Sequence, residues 1–262
     1  MRSLRFVLPV GALLLAGGLI YGADENEKKG VVTYADGQVK RKTVSAELWS
    51  DAPVDTDVHS GDKVRTYRQS RAELNLAEMD VIRLAPRTVI DIVKLYDETR
   101  DKKLKTQIKL EEGELWAQVH EIEMDTEFDI SAPVAAAAIT GTVLAMRVDA
   151  DSTTQLKVYK GEVHITNAPE NTNLKPKVLN TKPVQVRGPV QIQGPREVSV
   201  EEWIYIVKSM QQITLDKRGK IVSQGAIQDQ DTAEQRDWVR WNKSRDNVRM
   251  EQLKKLMQHQ GK

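Results

Sequence analysis

The chain has 262 residues, with 39 Lys and Arg against 38 Asp and Glu, a net charge of +1 and no cysteine. That balance gives no overall attraction to nucleic acid or acidic substrates, and the missing thiols exclude disulfides, thiol catalysis and cysteine-based metal sites. A chain of this length buries enough apolar surface for one or two domains without such staples.

Residues 1–23 have the layout of a signal peptide. Arg2 and Arg5 precede the apolar run Phe6–Tyr21, after which Asp24, Glu25 and Glu27 turn the chain polar. Sixteen apolar residues rise about 24 Å as a helix, short of a bilayer core of about 30 Å. Pro9 and Gly17-Gly18 also break the run. An uncleaved N-terminal membrane anchor stays open, because neither Gly22 nor Ala23 has small residues at both expected cut positions. The protein is therefore expected to be exported, to the periplasm or cell envelope. Its lack of disulfides fits a bacterial envelope protein. Residues 24–29 read as a linker.

Residues 30–195 read as an all-β domain. Val31–Tyr34 and Gln38–Arg41 flank the hairpin-type dipeptide Asp36-Gly37. Further strands are expected at Lys63–Thr66, Ala72–Leu76, Val81–Leu84, Val89–Val93, Thr106–Leu110, Leu115–Val119, Thr126–Ile130, Leu144–Val148, Gln155–Val158 and Val163–Thr166. Short strands at regular spacing argue against βαβ units. A Gly-acid turn feeding an apolar alternation recurs at Gly61-Asp62, Gly113-Glu114 and Gly161-Glu162. That recurrence suggests a rolled or solenoid-like double sheet, and a plain sandwich gives nearly the same signal.

The uncharged stretch Ala132–Ala145 reads as two buried strands joined by a bend at Thr140-Gly141-Thr142. Its four alanines favour a helix, but Pro133 and the β-branched Ile139, Thr140, Thr142 and Val143 oppose one. Just before it, Glu121, Glu123, Asp125, Glu127 and Asp129 occupy alternate positions, so a strand puts all five on one face. A solvated face beside Lys103, Lys105 and Lys109 is the reading, since hard-cation sites usually draw their ligands from a bent loop. His59, His120, His164 and His259 lack metal-ligand spacing, and no GxSxG elbow, phosphate loop or HExxH helix occurs. No catalytic, cofactor-binding or metal-ligating residue is assigned, and no enzyme activity is expected.

Asn167–Pro195 carries five prolines and reads as a loop closed by a hairpin of Val184–Val186 and Val190–Gln193. Residues 196–262 are expected to form a helical C-terminal region with a small hairpin. Ser199 would cap a helix carrying Trp203, Ile206, Val207 and Met210 at helical spacing. Ile213–Leu215 and Lys220–Val222 would pair around Asp216–Gly219, and Thr232–Gln260, free of Gly and Pro, reads as one long helix. Arg236–Lys262 holds eight Lys or Arg and three acids. Trp238, Trp241, Arg240, Arg245 and Arg249 are accordingly the candidate interface, unless both tryptophans pack the helix onto the β domain.

Several stretches, in order, resemble a FecR domain. They are Trp49, Gly61-Asp62-Lys63-Val64-Arg65-Thr66, Ser70-Arg71-Ala72-Glu73-Leu74, Leu84-Ala85-Pro86-Arg87-Thr88, Leu110–Leu115, Phe128–Pro133, Thr140-Gly141-Thr142 and Val158–Val163. They span Gly30–Thr166. The resemblance implies a periplasmic all-β module, the sensing half of membrane-anchored regulators of extracytoplasmic sigma factors. Only Met1–Arg5 precede the apolar run, so the cytoplasmic sigma-binding arm of those regulators is not expected. The residue-level reading of Gly61, Asp62, Arg65, Thr66, Arg71, Pro86, Gly113, Pro133, Thr140, Gly141, Thr142 and Gly161 is structural: turns, ion pairs and strand-end hydrogen bonds. The expected function is a protein-interaction or signalling module whose partner is another envelope protein. The alternative is a structural or glycan-binding module of the cell wall or surface.

Overall fold

The computed structural model describes residues 28–76, 80–98, 104–120, 126–139, 141–169, 204–228 and 232–260. The signal or anchor segment and the proline-rich loop with its hairpin lie outside them.

Alternating apolar residues build two sheets. The first runs β4 (Asp57–Val58), β1 (Gly30–Asp36), β6 (Arg71–Asn75), β7 (Val81–Leu84), the second half of β9 (Leu104–Gln118), β12 (Val143–Val148), β13 (Thr154–Lys160), β16 (Gln211–Leu215) and β17 (Ile221–Ala226). The second runs β3 (Ser50–Asp51), β2 (Val39–Lys42), β5 (Lys63–Thr66), β8 (Val89–Glu98), the first half of β9, β10 (Thr126–Ala132), β11 (Ala135–Ile139), β14 (Glu162–Thr166) and β15 (Ile204–Lys208). The sheets share β9 and enclose one core that includes Leu74, Ile82, Leu115, Phe128, Ile130 and Met146. The assembly is open rather than a closed barrel. The β9–β10 pairing is parallel, while the other strand pairs of the described residues are antiparallel.

The recurrent Gly-acid steps are the corners where the chain crosses between sheets. Gly61 lies between β4 and β5, and Gly161 between β13 and β14. Gly113 differs from expectation: it does not end a strand but bends β9 from one sheet into the other at φ +91°. A Cβ there would sit 2.4 Å from Thr88 Oγ1 and 2.6 Å from the Arg87 carbonyl, so the corner is built around its absence.

The alanine-rich stretch is strand, as its β-branched residues require. The expected helix near Val200–Met210 is corrected: Ile204–Lys208 is β15, paired with β14 through Val163 opposite Val207. Trp203, Ile206, Val207 and Met210 satisfy a helical period, yet β-branched Ile204, Ile206 and Val207 complete an open sheet edge instead. β16 and β17 are the expected small hairpin, and Ala233–Gln260 is the long helix α1. Among the described residues no helix is long and apolar enough to cross a membrane.

Candidate functional site

β-strand alternation directs Leu74, Ile82 and Leu115 into the core and their neighbours outward. The register aligns those neighbours in one row across the first sheet: Tyr34, Glu73, Arg83, Trp116 and Ala145 stand opposite one another on β1, β6, β7, β9 and β12. A glutamate, an arginine and a tryptophan side by side on an outer face would ordinarily be solvated. Here α1 covers them.

The helix runs along β6. Arg71 donates to Asp237 at 2.8 Å, Arg245 to Glu73 at 2.8 and 3.1 Å, and Arg249 to Asn75 at 2.8 Å. The two lattices are commensurate, since two strand residues advance about 6.6 Å and four helical residues about 6 Å. From Arg245 to Arg249 one helical turn therefore matches one outward-facing strand position, Glu73 to Asn75, whereas Arg71 reaches back about two turns to Asp237.

Beneath this contact lies a buried ionic network. Arg83, 1% exposed, donates to Glu73 at 2.6 Å and to Asp246 at 2.5 Å, and Asp246 also accepts the Trp116 indole N–H at 3.0 Å. Thr33 donates to Glu73 at 2.8 Å. Burial works to raise the Glu73 pKa, but hydrogen bonds from Arg245 and Arg83, with the Arg83 charge, hold it down at about 2. Around the network Trp116, Ala85, Ala145 and Trp238 form a second, smaller apolar cluster. Trp238 and Trp241 stack at 5.3 Å, and the Arg71 and Arg245 guanidinium groups lie over the Trp241 ring at 5.3 and 5.1 Å.

The candidate interface residues thus divide. Trp238 is buried, and Trp241, Arg245 and Arg249 are partly buried, all four turned toward the first sheet, whereas Arg240 is exposed on another flank of α1. Glu73, Arg83, Trp116 and Asp246 carry the contact, and nothing in the sequence marks them as a set. A lone arginine inside Val81–Leu84 was the available signal.

The structural motif residues gather at the corners. Thr66 donates to the Ala85 carbonyl at 2.6 Å and accepts from Thr88 N–H at 3.0 Å, while Thr88 Oγ1 accepts from Glu114 N–H at 3.0 Å across from Gly113. Asp62 accepts from His59 N–H at 3.0 Å in the Gly61 corner. Pro86 lies between β7 and β8, and Pro133 in the exposed turn between β10 and β11. Buried Thr142 packs under Gly161 beside Gly141, and Thr140 lies outside the described residues. Arg65 spans Trp49 and Tyr67, each ring 5.5 Å away, on the second sheet. Arg71 is the motif residue that reaches α1.

The acidic alternation needs correction. Glu121, Glu123 and Asp125 lie outside the described residues, as does Lys103, and Asp129 is buried at 3% exposure rather than solvated. Lys105 lies 2.8 Å from its carboxylate, yet burial dominates and pushes the Asp129 pKa up to about 6. Among the described residues no group of three His, Cys, Asp or Glu side chains is placed to hold a metal ion.

Residues 62–164 match a family model described as FecR protein. No curated protein matches the sequence. Two crystal structures of a proposed anti-sigma factor from Parabacteroides distasonis ATCC 8503, at 2.50 and 1.65 Å resolution, are similar at 13% identity with a TM-score of 0.43. Each match covers 63% of this chain, which spans 59% of the length of those structures.

Proposed function

We propose that this chain, in which residues 62–164 are a FecR domain, is an exported, non-catalytic signalling module that works by binding another envelope protein. The domain match carries the reading. The geometry is consistent with it, because Asp62 and Thr66 are committed to corners and the α1 contact, which Arg71 joins, fixes a folded surface, the arrangement of a recognition scaffold. The Arg2–Tyr21 pattern supports the export part of the reading.

The second reading, a structural or glycan-binding module of the wall or surface, draws on Trp49, half-buried beside Arg65, Lys63, Glu111 and Glu112 on the second sheet. Titrating purified full-length protein against solubilised envelope proteins and against purified cell-wall material separates the two. The proposal expects saturable capture of one protein at a fixed ratio that persists in moderate salt. Retention on glycan alone, released by salt, would replace it with the second reading.

A further inference from the structure

On the flank of α1 away from β1, the helix and the end of the first sheet enclose an open groove of about 730 Å³. Arg236, Arg240 and Lys243 recur at i, i+4 and i+7 along its helical wall. Tyr159, Met210 and Ile227 form much of the opposite side, and among the described residues none that lines the groove is acidic. Lys243 Nζ lies 5.0 Å from the centre of the Tyr159 ring, so a cation caps the aromatic wall of the groove.

Met210 is a second, independent observation. It sits in the turn between β15 and β16 at φ +62°, a conformation costly for a long side chain and easy for Gly or Asn, and it is 55% exposed. Its backbone is held by donation to the Val158 carbonyl at 2.7 Å and acceptance from Ile227 N–H at 3.0 Å. A strained position therefore presents a flexible, polarisable apolar side chain to water beside three cations. Such a residue suits an adaptable contact surface.

We infer that this groove binds an acidic peptide segment of a partner protein, with carboxylates facing Arg240 and Lys243 and an apolar side chain resting on Met210 and Ile227. The inference rests on the protein-binding reading and gives it a location. Charge complementarity selects an anionic occupant, and the apolar floor selects one that also carries hydrophobic side chains. A bilayer surface fits less well, since an interfacial helix inserts its tryptophans, and here Trp238 and Trp241 are turned onto the sheet. A plain anionic glycan leaves the apolar floor unmatched.

Fluorescence anisotropy on the full chain tests this with a labelled peptide alternating Glu and Leu. The inference expects saturable binding, weakened about tenfold by Arg240→Glu and clearly by Met210→Ser, with Lys109→Glu on the second sheet as an unaffected control. Both groove positions are exposed, and circular dichroism verifies that the variants fold. Equal binding by the variants, no peptide binding, equal binding of a Glu–Ser peptide, or binding only to phosphatidylglycerol vesicles would each overturn it. Failure here is separable from failure of the wider reading. If Arg240→Glu still captures the native chain's envelope partner in cells, the groove is wrong and protein binding stands; if neither form captures one, protein binding falls.

Discussion

Replacing Asp246 with Ala removes the acceptor that joins Arg83 to Trp116 at the centre of the helix–sheet contact. An indole N–H left buried without a partner costs about 1–3 kcal/mol, and breaking a buried ion pair from one side costs about 3–5 kcal/mol. Arg83 keeps Glu73, which Arg245 also neutralises, so the loss falls toward the lower end, at about 3–4 kcal/mol. The loss is local first. Hydrogen exchange should show α1 amides losing protection while β7, β9 and β12, whose inner faces join the main core, retain theirs. Urea unfolding of Asp246→Leu, Arg83→Met and the double variant Arg83→Met/Asp246→Leu completes a cycle. The double variant should be more stable than the sum of the singles by at least about 1 kcal/mol, since neither buried charge is then stranded. Additive losses, or an Asp246→Ala protein within about 1 kcal/mol of the native chain, would refute the network as the fastening of α1.

Gly113→Ala should lower stability by about 2–4 kcal/mol, because a Cβ at φ +91° meets Thr88 and the Arg87 carbonyl; an unchanged urea midpoint would show that the corner yields. Trp238→Ala should cost about 3–5 kcal/mol and loosen α1, whereas Trp238→Phe should lose much less; equal losses would assign the indole a role beyond packing. Two carboxyls set opposite pH trends. Glu73, at about 2 against an ordinary 4.5, contributes about 3 kcal/mol that is present above pH 4.5 and lost as pH falls through 2. Asp129, at about 6 against 3.8, favours folding when protonated, a contribution full below pH 3.8 and lost as pH rises through 6. Urea midpoints should therefore decline between pH 4 and 7, and Asp129→Asn should abolish that decline; an identical profile in the variant would contradict the burial argument.

The strand content was legible because half-buried strands print a period of two on the sequence, and β5 and β7 fall at the expected residues. The corners are legible as Gly-acid steps, although the sequence does not tell the bend at Gly113 from a strand end, because a bend and a turn demand the same backbone freedom. Around Ile204 the apolar spacing at 203, 206, 207 and 210 fits a helix, while the deciding fact, an unpaired β14 edge, is tertiary. The contact beneath α1 was hidden for a similar reason. Arg83 is separated from Asp246 by 163 residues, and each looks like a solvated charge in its own element. The two tryptophans stand out in the sequence, but whether they face partner or sheet depends on the row Glu73–Arg83–Trp116, which register alone creates.

Chemical crosslinking of the full chain in intact cells, followed by affinity purification and mass spectrometry, tests the protein-binding claim most directly. The account predicts one envelope protein at a reproducible ratio to the bait, with crosslinks at Lys243 or neighbouring positions on the outer flank of α1. Recovery of glycan or lipid alone, or of no adduct at any expression level, would contradict it.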